Sequence, residues 1–243
     1  NFSFDIIEIH NRPLVLKYLH NRTKSNFILY FHNDPLSMKG SISIKERENL
    51  LQISDKIVFI SKWVKKKFFE GLVEKDSDKT EIIYHSITKQ KKFSKKKKFI
   101  TFVGKLNYSK GYDIFRDALT NILNEYKDWK AFSIGDESRK RPIFNHSRHF
   151  ELGFLTHKKV LNYLNRSEIA VVPSRWEEPF GRTSLEASSR GCATIISNKG
   201  GLPETTDHCI ILKKNNSINL FKELKKLINN KKLRKKLQLQ SFK

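Results

Sequence analysis

Cysteine is almost absent from this sequence, with only Cys192 and Cys209 among 243 residues. Two cysteines without the spacing of metal ligands predict neither a disulfide framework nor a zinc site, and they fit reduced thiols in a cytosolic protein. Long apolar runs are absent too: no stretch reaches the roughly 18 apolar residues that a membrane-spanning helix needs. The sequence therefore predicts no membrane-spanning helix.

Acidic residues are scarce relative to basic ones. The 25 Asp and Glu stand against 48 Lys and Arg, which gives a formal net charge of +23. Such an excess favours an anionic partner: a nucleic acid, a phospholipid surface or a phosphorylated small molecule. Runs such as KKFSKKKK and KKLRKKL are also typical of solvated faces and linkers, and we interpret most of the lysines this way. Charge alone leaves these partner classes open.

Short apolar runs rich in β-branched residues alternate with helical patterns along the chain. The predicted strands are 4–10, 26–32, 56–60, 80–86, 99–104, 130–135, 149–153, 168–174, 193–197 and 209–213. Strands separated by helices predict βαβ units and parallel sheets. The lysine-rich stretch 87–98 has no apolar period and indicates a domain boundary. The chain is therefore predicted to hold two α/β layers, the first incomplete, with a single larger sheet as the alternative.

Open parallel sheets bind ligands at the carboxyl ends of their strands. In FITFVGKLNYSKG, Gly104 ends a predicted strand, Lys105 follows it, and Lys110 precedes the next helix. A glycine here lets the backbone approach a ligand, and two lysines can neutralise a diphosphate as point charges. The alternative is two ordinary surface lysines in a lysine-rich protein.

The segment EEPFGRTSLEASSRG places acids around a helix start. Glu178 lies on the loop before the helix, whose first N–H groups form an anion site. Glu178 can accept hydrogen bonds from hydroxyls, and Glu186 on the second helical turn can do so from a vicinal diol. Acceptors for hydroxyls beside donors for phosphate describe a nucleotide-sugar site. Arg182 and Arg190, four residues to either side of Glu186, make ordinary helix ion pairs the competing interpretation.

Two further candidate positions also follow predicted strands. Gly200 and Gly201 follow a predicted strand in SNKGGLPET, where they allow either close approach to a ligand or a plain turn. His32 follows the strand NFILYF and precedes Asn-Asp-Pro, so it can bond a sugar hydroxyl or the reacting centre. His10 occupies the equivalent place one strand earlier.

Together these motifs resemble glycosyltransferase family 4, retaining enzymes with the GT-B fold. FVGKLNYSKGYDIF resembles the family's FVGRL…KG element. VVPSRWEEPFGRTSLEASSRGCATIISNKGGLPE is similar to its PS…EPFG…LEAMA.G.PVI.S..GG.PE element, including the E-x7-E pair Glu178 and Glu186. SDKIVFISKWVKKKFFEGL and EIIYHSI resemble the close of the family's N-terminal domain. The resemblance covers nearly the whole chain and is most specific in 168–205.

The resemblance implies a GT-B type α/β fold, with two Rossmann-like parallel-sheet domains facing a cleft and the first one incomplete. Residues 1–90 would form the C-terminal part of the acceptor-side domain, 91–98 a basic linker, and 99–243 the donor-binding domain. We expect the chain to lack the start of the first domain, including its glycine-rich acceptor loop.

The family's functional residues carry over by position. Glu178 would contact the transferred sugar, and Glu186 the ribose hydroxyls. Lys105 stands where Arg is usual, which removes bidentate geometry on the diphosphate. The expected catalytic residues are Glu178, Lys105, Lys110 and His32, and the expected donor-binding residues are Gly104, Lys105, Lys110, Glu178, Phe180, Gly181, Arg182, Thr183 and Glu186.

The implied activity is transfer of a hexosyl group, with retention, from a nucleoside-diphosphate sugar to a glycan or lipid-linked acceptor in cell-envelope polysaccharide or lipopolysaccharide synthesis. No metal or other cofactor is expected, because no DxD motif follows a predicted strand. We expect a cytoplasmic location, with peripheral contact to the inner membrane face through basic clusters at 89–98 and 221–236. The alternatives are a non-catalytic sugar-nucleotide-binding relative and a nucleic-acid-binding protein, which would interleave aromatic and basic residues on one face.

Overall fold

A computed structural model describes residues 4–88, 90, 92–139 and 142–242. The chain divides into two compact units, Asn1–Ser86 and Ile87–Lys243. The division falls close to residue 90, where the first domain is predicted to end. Lys89 and Lys91 of the predicted basic cluster lie outside the described residues.

The first unit is a parallel sheet flanked by helices. Its strands run in the order β1-β2-β3-β4, all parallel. The strands are β1 (Ile6–His10), β2 (Asn26–Phe31), β3 (Lys56–Phe59) and β4 (Thr80–Ile82), and the helices are α1 (Pro13–His20), α2 (Ile44–Ile53) and α3 (Lys62–Phe68). The rings of Phe31, Phe59 and Phe68 pack with centroids 5.2–5.8 Å apart. This aromatic cluster fixes α3 against the sheet.

The second unit holds a six-stranded parallel sheet in the order β10-β9-β8-β5-β6-β7. The strands are β5 (Lys97–Val103), β6 (Lys130–Ile134), β7 (His149–Glu151), β8 (Ser167–Val172), β9 (Ala193–Ser197) and β10 (Cys209–Leu212), and the helices are α4 (Tyr112–Glu125), α5 (His157–Arg166), α6 (Arg182–Ser189), α7 (Ser217–Asn229) and α8 (Lys231–Phe242). The sequential order reverses between β5 and β8, which is the switch point where such sheets bind ligands. The predicted α/β fold with two Rossmann-like units is confirmed.

The segment before β5 packs onto the second unit. Lys96 Nζ donates to the carbonyl oxygens of Leu164, at 3.2 Å, and Arg190. Phe93 packs edge-to-face on Phe242, with centroids 5.2 Å apart. Burial lowers the pKa of Lys96. The interpretation of this lysine run as solvated is therefore wrong for Lys96, which links two backbone carbonyl groups by hydrogen bonds.

Arg234, within the second basic run, is also buried. Its guanidinium bonds the Glu168 carboxylate and the carbonyl oxygen of Ile228, the latter at 2.9 Å. It also lies 5.3 Å from the centroid of the Trp129 ring. Arg234 thus holds α8 against β8 and α7.

No helix in the described part of the chain combines the length and apolar character required to cross a bilayer.

A glycine at the start of α4 permits a close backbone contact. Gly111 has φ +71°, and a Cβ added there would lie 1.9 Å from the carbonyl oxygen of Pro173. Gly153 has a similar φ of +63°, but a Cβ there would meet nothing within 4 Å. A substitution at Gly153 therefore tests backbone strain alone, whereas one at Gly111 adds steric overlap to the same strain.

We expect Gly153→Ala to lower the free energy of unfolding by about 1–2 kcal/mol, the cost of a left-handed non-glycine residue. Gly111→Ala should cost more, because the overlap with Pro173 adds to the same strain. Urea unfolding of both variants measures the difference. Equal losses would show that the Pro173 contact relaxes without cost.

Candidate functional site

A pocket of about 170 Å³ lies at the carboxyl ends of β5 and β8, at the switch point of the second sheet. Six predicted site residues line it: Gly104, Lys110, Glu178, Gly181, Arg182 and Thr183. These residues come from two segments more than 60 positions apart in the sequence. The parallel sheet brings them together because its strands end at a common edge.

Lys110 and Glu178 form an ion pair inside this pocket. Lys110 Nζ donates to Glu178 Oε1 at 2.6 Å, and the exposed fractions of the two side chains are 31% and 14%. An ammonium has three N–H donors, so Lys110 can hold this carboxylate and a second anion together. The pair therefore offers both a cation for phosphate and an acceptor for hydroxyls.

The loop that carries Lys110 is fixed to the loop after β8. The backbone N–H groups of Arg175 and Trp176 both donate to Ser109 O, at 2.9 and 3.0 Å. The Arg175 guanidinium bonds both carboxylate oxygens of Asp113, at 2.5 and 2.7 Å. Lys110 and Glu178 consequently project from backbone segments that are bonded to each other.

Gly200 and Gly201 contact the Glu178 loop. Gly201 N donates to Glu178 O at 2.6 Å. A Cβ on Gly200 would lie 2.1 Å from the same oxygen, and one on Gly201 would lie 2.4 Å from Pro179 O. The backbone of these glycines therefore lies directly against the neighbouring loop and fixes the backbone of Glu178.

Glu177, next to Glu178, is directed to the same glycine loop. Its Oε1 accepts from Lys199 Nζ and its Oε2 from Gly200 N, both at 2.7 Å. Two adjacent glutamates thus have different partners, one in the pocket and one at the loop.

Helix α6 begins at the pocket. Gly181 is its N-cap, with φ +107° and no side-chain cap bond. The first N–H groups of a helix have no acceptor within the helix, so Arg182 and Thr183 present donors beside Lys110. Phe180 is only 3% exposed, so its ring packs inside the unit. This end of α6 fits an anionic group.

Glu186 lies one turn beyond the helix start and is held by two side chains. Its Oε1 accepts from Arg182 Nε at 3.0 Å and from His157 Nε2 at 2.9 Å. The Arg182 ion pair that competes with a binding role is thus present. His157, 29 positions earlier on α5, was missed because nothing local in the sequence links it to Glu186.

Lys105 is exposed and does not line the pocket. Among the described residues it makes no ion pair with another side chain. Its neighbour Gly104 does line the pocket. Of the two predicted phosphate lysines, the structure brings only Lys110 onto Glu178.

In the first unit, three histidines form a hydrogen-bonded row. His10 Nδ1 lies 2.8 Å from His32 Nε2, and His32 Nδ1 lies 3.2 Å from His85 Nε2. Both ring nitrogens of His32 are thus bonded to other histidines. Burial lowers the pKa of His32, and the neighbouring His10 and His85 lower it further. His85 was missed because it follows β4, far along the chain.

A neutral imidazole has one donor and one acceptor nitrogen. In a row of neutral rings His32 therefore donates to one neighbouring histidine and accepts from the other. Within the described residues, no group of His, Cys, Asp or Glu is placed to hold a metal ion.

Comparison with known proteins gives consistent relatives. Residues 85–243 match the family model of glycosyl transferases group 1. The chain is 30% identical over 231 residues to an uncharacterized glycosyltransferase of Methanocaldococcus jannaschii, covering 90% of this chain and 63% of that protein. It is 26% identical over 237 residues to spore coat protein SA of Bacillus subtilis, covering 84% and 62%. The chain thus spans about three fifths of the length of these relatives.

Solved structures share the fold. HepE from Anabaena, in complex with UDP, superimposes with a TM-score of 0.78 at 16% identity, covering 98% of this chain and 73% of HepE. A glycosyltransferase from Rickettsia africae gives 0.73 at 19% identity, covering 98% and 70%. The fold is GT-B, as the sequence predicts. With its family match over residues 85–243, the chain belongs to the glycosyl transferases group 1.

Proposed function

We propose that this protein is a retaining glycosyltransferase of family 4 that moves a hexosyl group from a nucleoside-diphosphate sugar. The observation that carries the proposal is the Lys110–Glu178 pair, 2.6 Å long, in a pocket beside the start of α6. It combines donors for phosphate with an acceptor for sugar hydroxyls in one place. HepE, with the same fold, has been solved with UDP and with UDP-glucose.

The proposed chemistry is departure of the nucleoside diphosphate. The bond between the anomeric carbon and the β-phosphate oxygen breaks, and its electron pair stays on that oxygen. The acceptor's hydroxyl oxygen forms the new bond to the anomeric carbon on the same face, which retains the configuration, and its proton passes to the departing phosphate. Negative charge on the phosphate grows in the transition state, so Lys110 and the α6 N–H groups stabilise the transition state more than the ground state. Glu178 orients the departing sugar. In this scheme the lysines and the helix N-terminus do the work that a metal ion does in other transferases.

The remaining predicted residues have supporting roles in the proposal. Gly104 leaves room at the end of β5, Lys105 adds positive charge beside it, and Glu186 accepts from the ribose. His32 stays a predicted contact of the donor sugar. It can offer a ring nitrogen only when its bond to His10 or His85 opens.

The second candidate is a non-catalytic relative that binds nucleotide sugars. The same pocket supports it, because binding needs the phosphate and hydroxyl contacts without turnover. Release of nucleoside diphosphate from a nucleotide sugar separates the two candidates.

The proposed acceptor is a glycan or a lipid-linked sugar in cell-envelope polysaccharide or lipopolysaccharide synthesis, met at the cytoplasmic membrane face. Helix α8 supports the membrane contact. Arg234 and Gln238 of this helix are buried. Its four lysines are exposed: Lys231, Lys232, Lys235 and Lys236. Among the described residues none of the four forms an ion pair. They present unpaired positive charge to one side of the helix.

We expect Glu178→Ala to abolish sugar release from the donor while leaving nucleoside-diphosphate affinity equal or higher. The lost contact is to the sugar, and removal of a carboxylate from the pocket lowers its repulsion of phosphate. Isothermal titration with the diphosphate and the nucleotide sugar, together with a turnover assay, measures both effects. Glu177→Ala is the matched control and should change neither much. Normal turnover in folded Glu178→Ala would contradict the assignment.

We expect Lys110→Ala to weaken diphosphate binding by about 1.5–3 kcal/mol, the worth of a charge-assisted hydrogen bond. Lys105→Ala should weaken it less, since that side chain lies outside the pocket, and Lys105→Arg should be tolerated. Titration in excess EDTA measures these changes and tests metal independence at once. Lys199→Ala, which removes a lysine paired with Glu177, is the control. If diphosphate binding requires added magnesium or manganese, or if Lys110→Ala leaves the affinity unchanged, the phosphate site lies elsewhere.

We expect the protein to co-sediment with anionic vesicles at low salt and to dissociate at high salt. Each lysine near an anionic surface contributes about 1 kcal/mol, and the attraction fades within a Debye length. Replacement of the four α8 lysines by glutamine should reduce binding, and neutral vesicles serve as the control. No binding at low salt would leave α8 as plain solvated charge.

A further inference from the structure

The Glu186 carboxylate has one oxygen fully occupied. Oε1 accepts from both His157 and Arg182, and a carboxylate oxygen has two lone pairs, so its capacity is used. Oε2 has no hydrogen-bond partner among the described residues and is the oxygen left for a further donor. The Glu186 side chain is only 8% exposed, so its position is set by its neighbours rather than by water.

The two bonds to Oε1 differ in kind. Both donors are exposed, Arg182 to 64% and His157 to 55%, and they differ in the element that carries them. Arg182 belongs to the same helix, four residues before Glu186. His157 is the first residue of α5, so its bond ties Glu186 to a different element. The terminal torsion of a glutamate is broad, and a bond from a second helix is what fixes the carboxylate plane.

We propose that His157 is a positioning residue for ribose recognition: it holds Glu186 through Oε1 so that Oε2 accepts from a ribose hydroxyl of the bound nucleotide. This inference rests on the proposed function. His157 does not itself touch the nucleotide. It donates from Nε2, which requires the proton on that nitrogen, and so fixes the carboxylate before the ligand arrives. Because the acceptor is ordered in advance, the entropy lost on immobilising the Glu186 side chain does not oppose binding.

The competing explanation is that the His157–Glu186 bond only joins α5 to α6. The two explanations differ in whether the ribose hydroxyls matter. A purely structural bond would affect every nucleotide equally, whereas a positioned Oε2 matters only to a ligand with a hydroxyl to donate.

The test is a double-mutant cycle in which one change is made in the protein, at His157, and the other in the ligand, at its ribose hydroxyls. Wild type is titrated with uridine, adenosine and guanosine 5′-diphosphates, and the tightest is compared with its 2′,3′-dideoxy form. We expect His157→Ala to weaken the ribose form about fivefold to tenfold, the cost of immobilising one side chain, and the dideoxy form less than twofold. His157→Gln, whose amide N–H reaches the same place, should restore most of the difference. Lys158→Ala, an exposed neighbour on α5, should change neither.

Each outcome either supports or overturns the positioning role of His157. An unchanged dideoxy affinity shows that the variant is folded, and a selective loss for the ribose form supports the proposal. Equal loss for both ligands, or no loss for either, overturns it while the nucleotide site stands. If none of the three diphosphates binds wild type, the proposed function itself fails.

Discussion

Backbone packs directly on backbone around the pocket, and the positions of the charged groups depend on that contact. Gly111, next to Lys110, lies against Pro173 O, and Gly200 lies against Glu178 O. Gly201 N also donates a hydrogen bond to Glu178 O. Because no side chain intervenes, the segments that carry the lysine and the glutamate are placed by rigid peptide groups. The backbone positions from which the 2.6 Å pair projects are therefore fixed independently of the pair itself.

The basic side chains that give the chain its positive charge have different roles. Lys110 faces a carboxylate in a pocket, Lys96 and Arg234 bind carbonyl oxygens within the second unit, and the α8 lysines face solvent. Net charge therefore says little about function in this chain. The partner of each cation, and its burial, decide what it does.

The sequence predicts the strands well because buried parallel strands are apolar runs bounded by polar residues; β9, at Ala193–Ser197, has the predicted bounds. It also places Lys110 and Glu178 at the same sheet edge. It cannot predict that they touch, since two side chains 68 positions apart meet only through loop packing. The same holds for His157 and Glu186. Lys96 is mistaken for solvated charge because its carbonyl acceptors belong to distant segments.

The Lys110–Glu178 bond has a consequence for the order of events in turnover. Under the proposed function, the leaving diphosphate and Glu178 draw on the same ammonium group. Glu178 is covalently part of the protein, so its local concentration never falls, whereas the diphosphate is diluted as soon as it moves away. Lys110 can hold both groups at once, but each bond to the carboxylate leaves one N–H fewer for the diphosphate. Within the proposal, Glu178 therefore weakens retention of the spent nucleotide while it also serves the reaction.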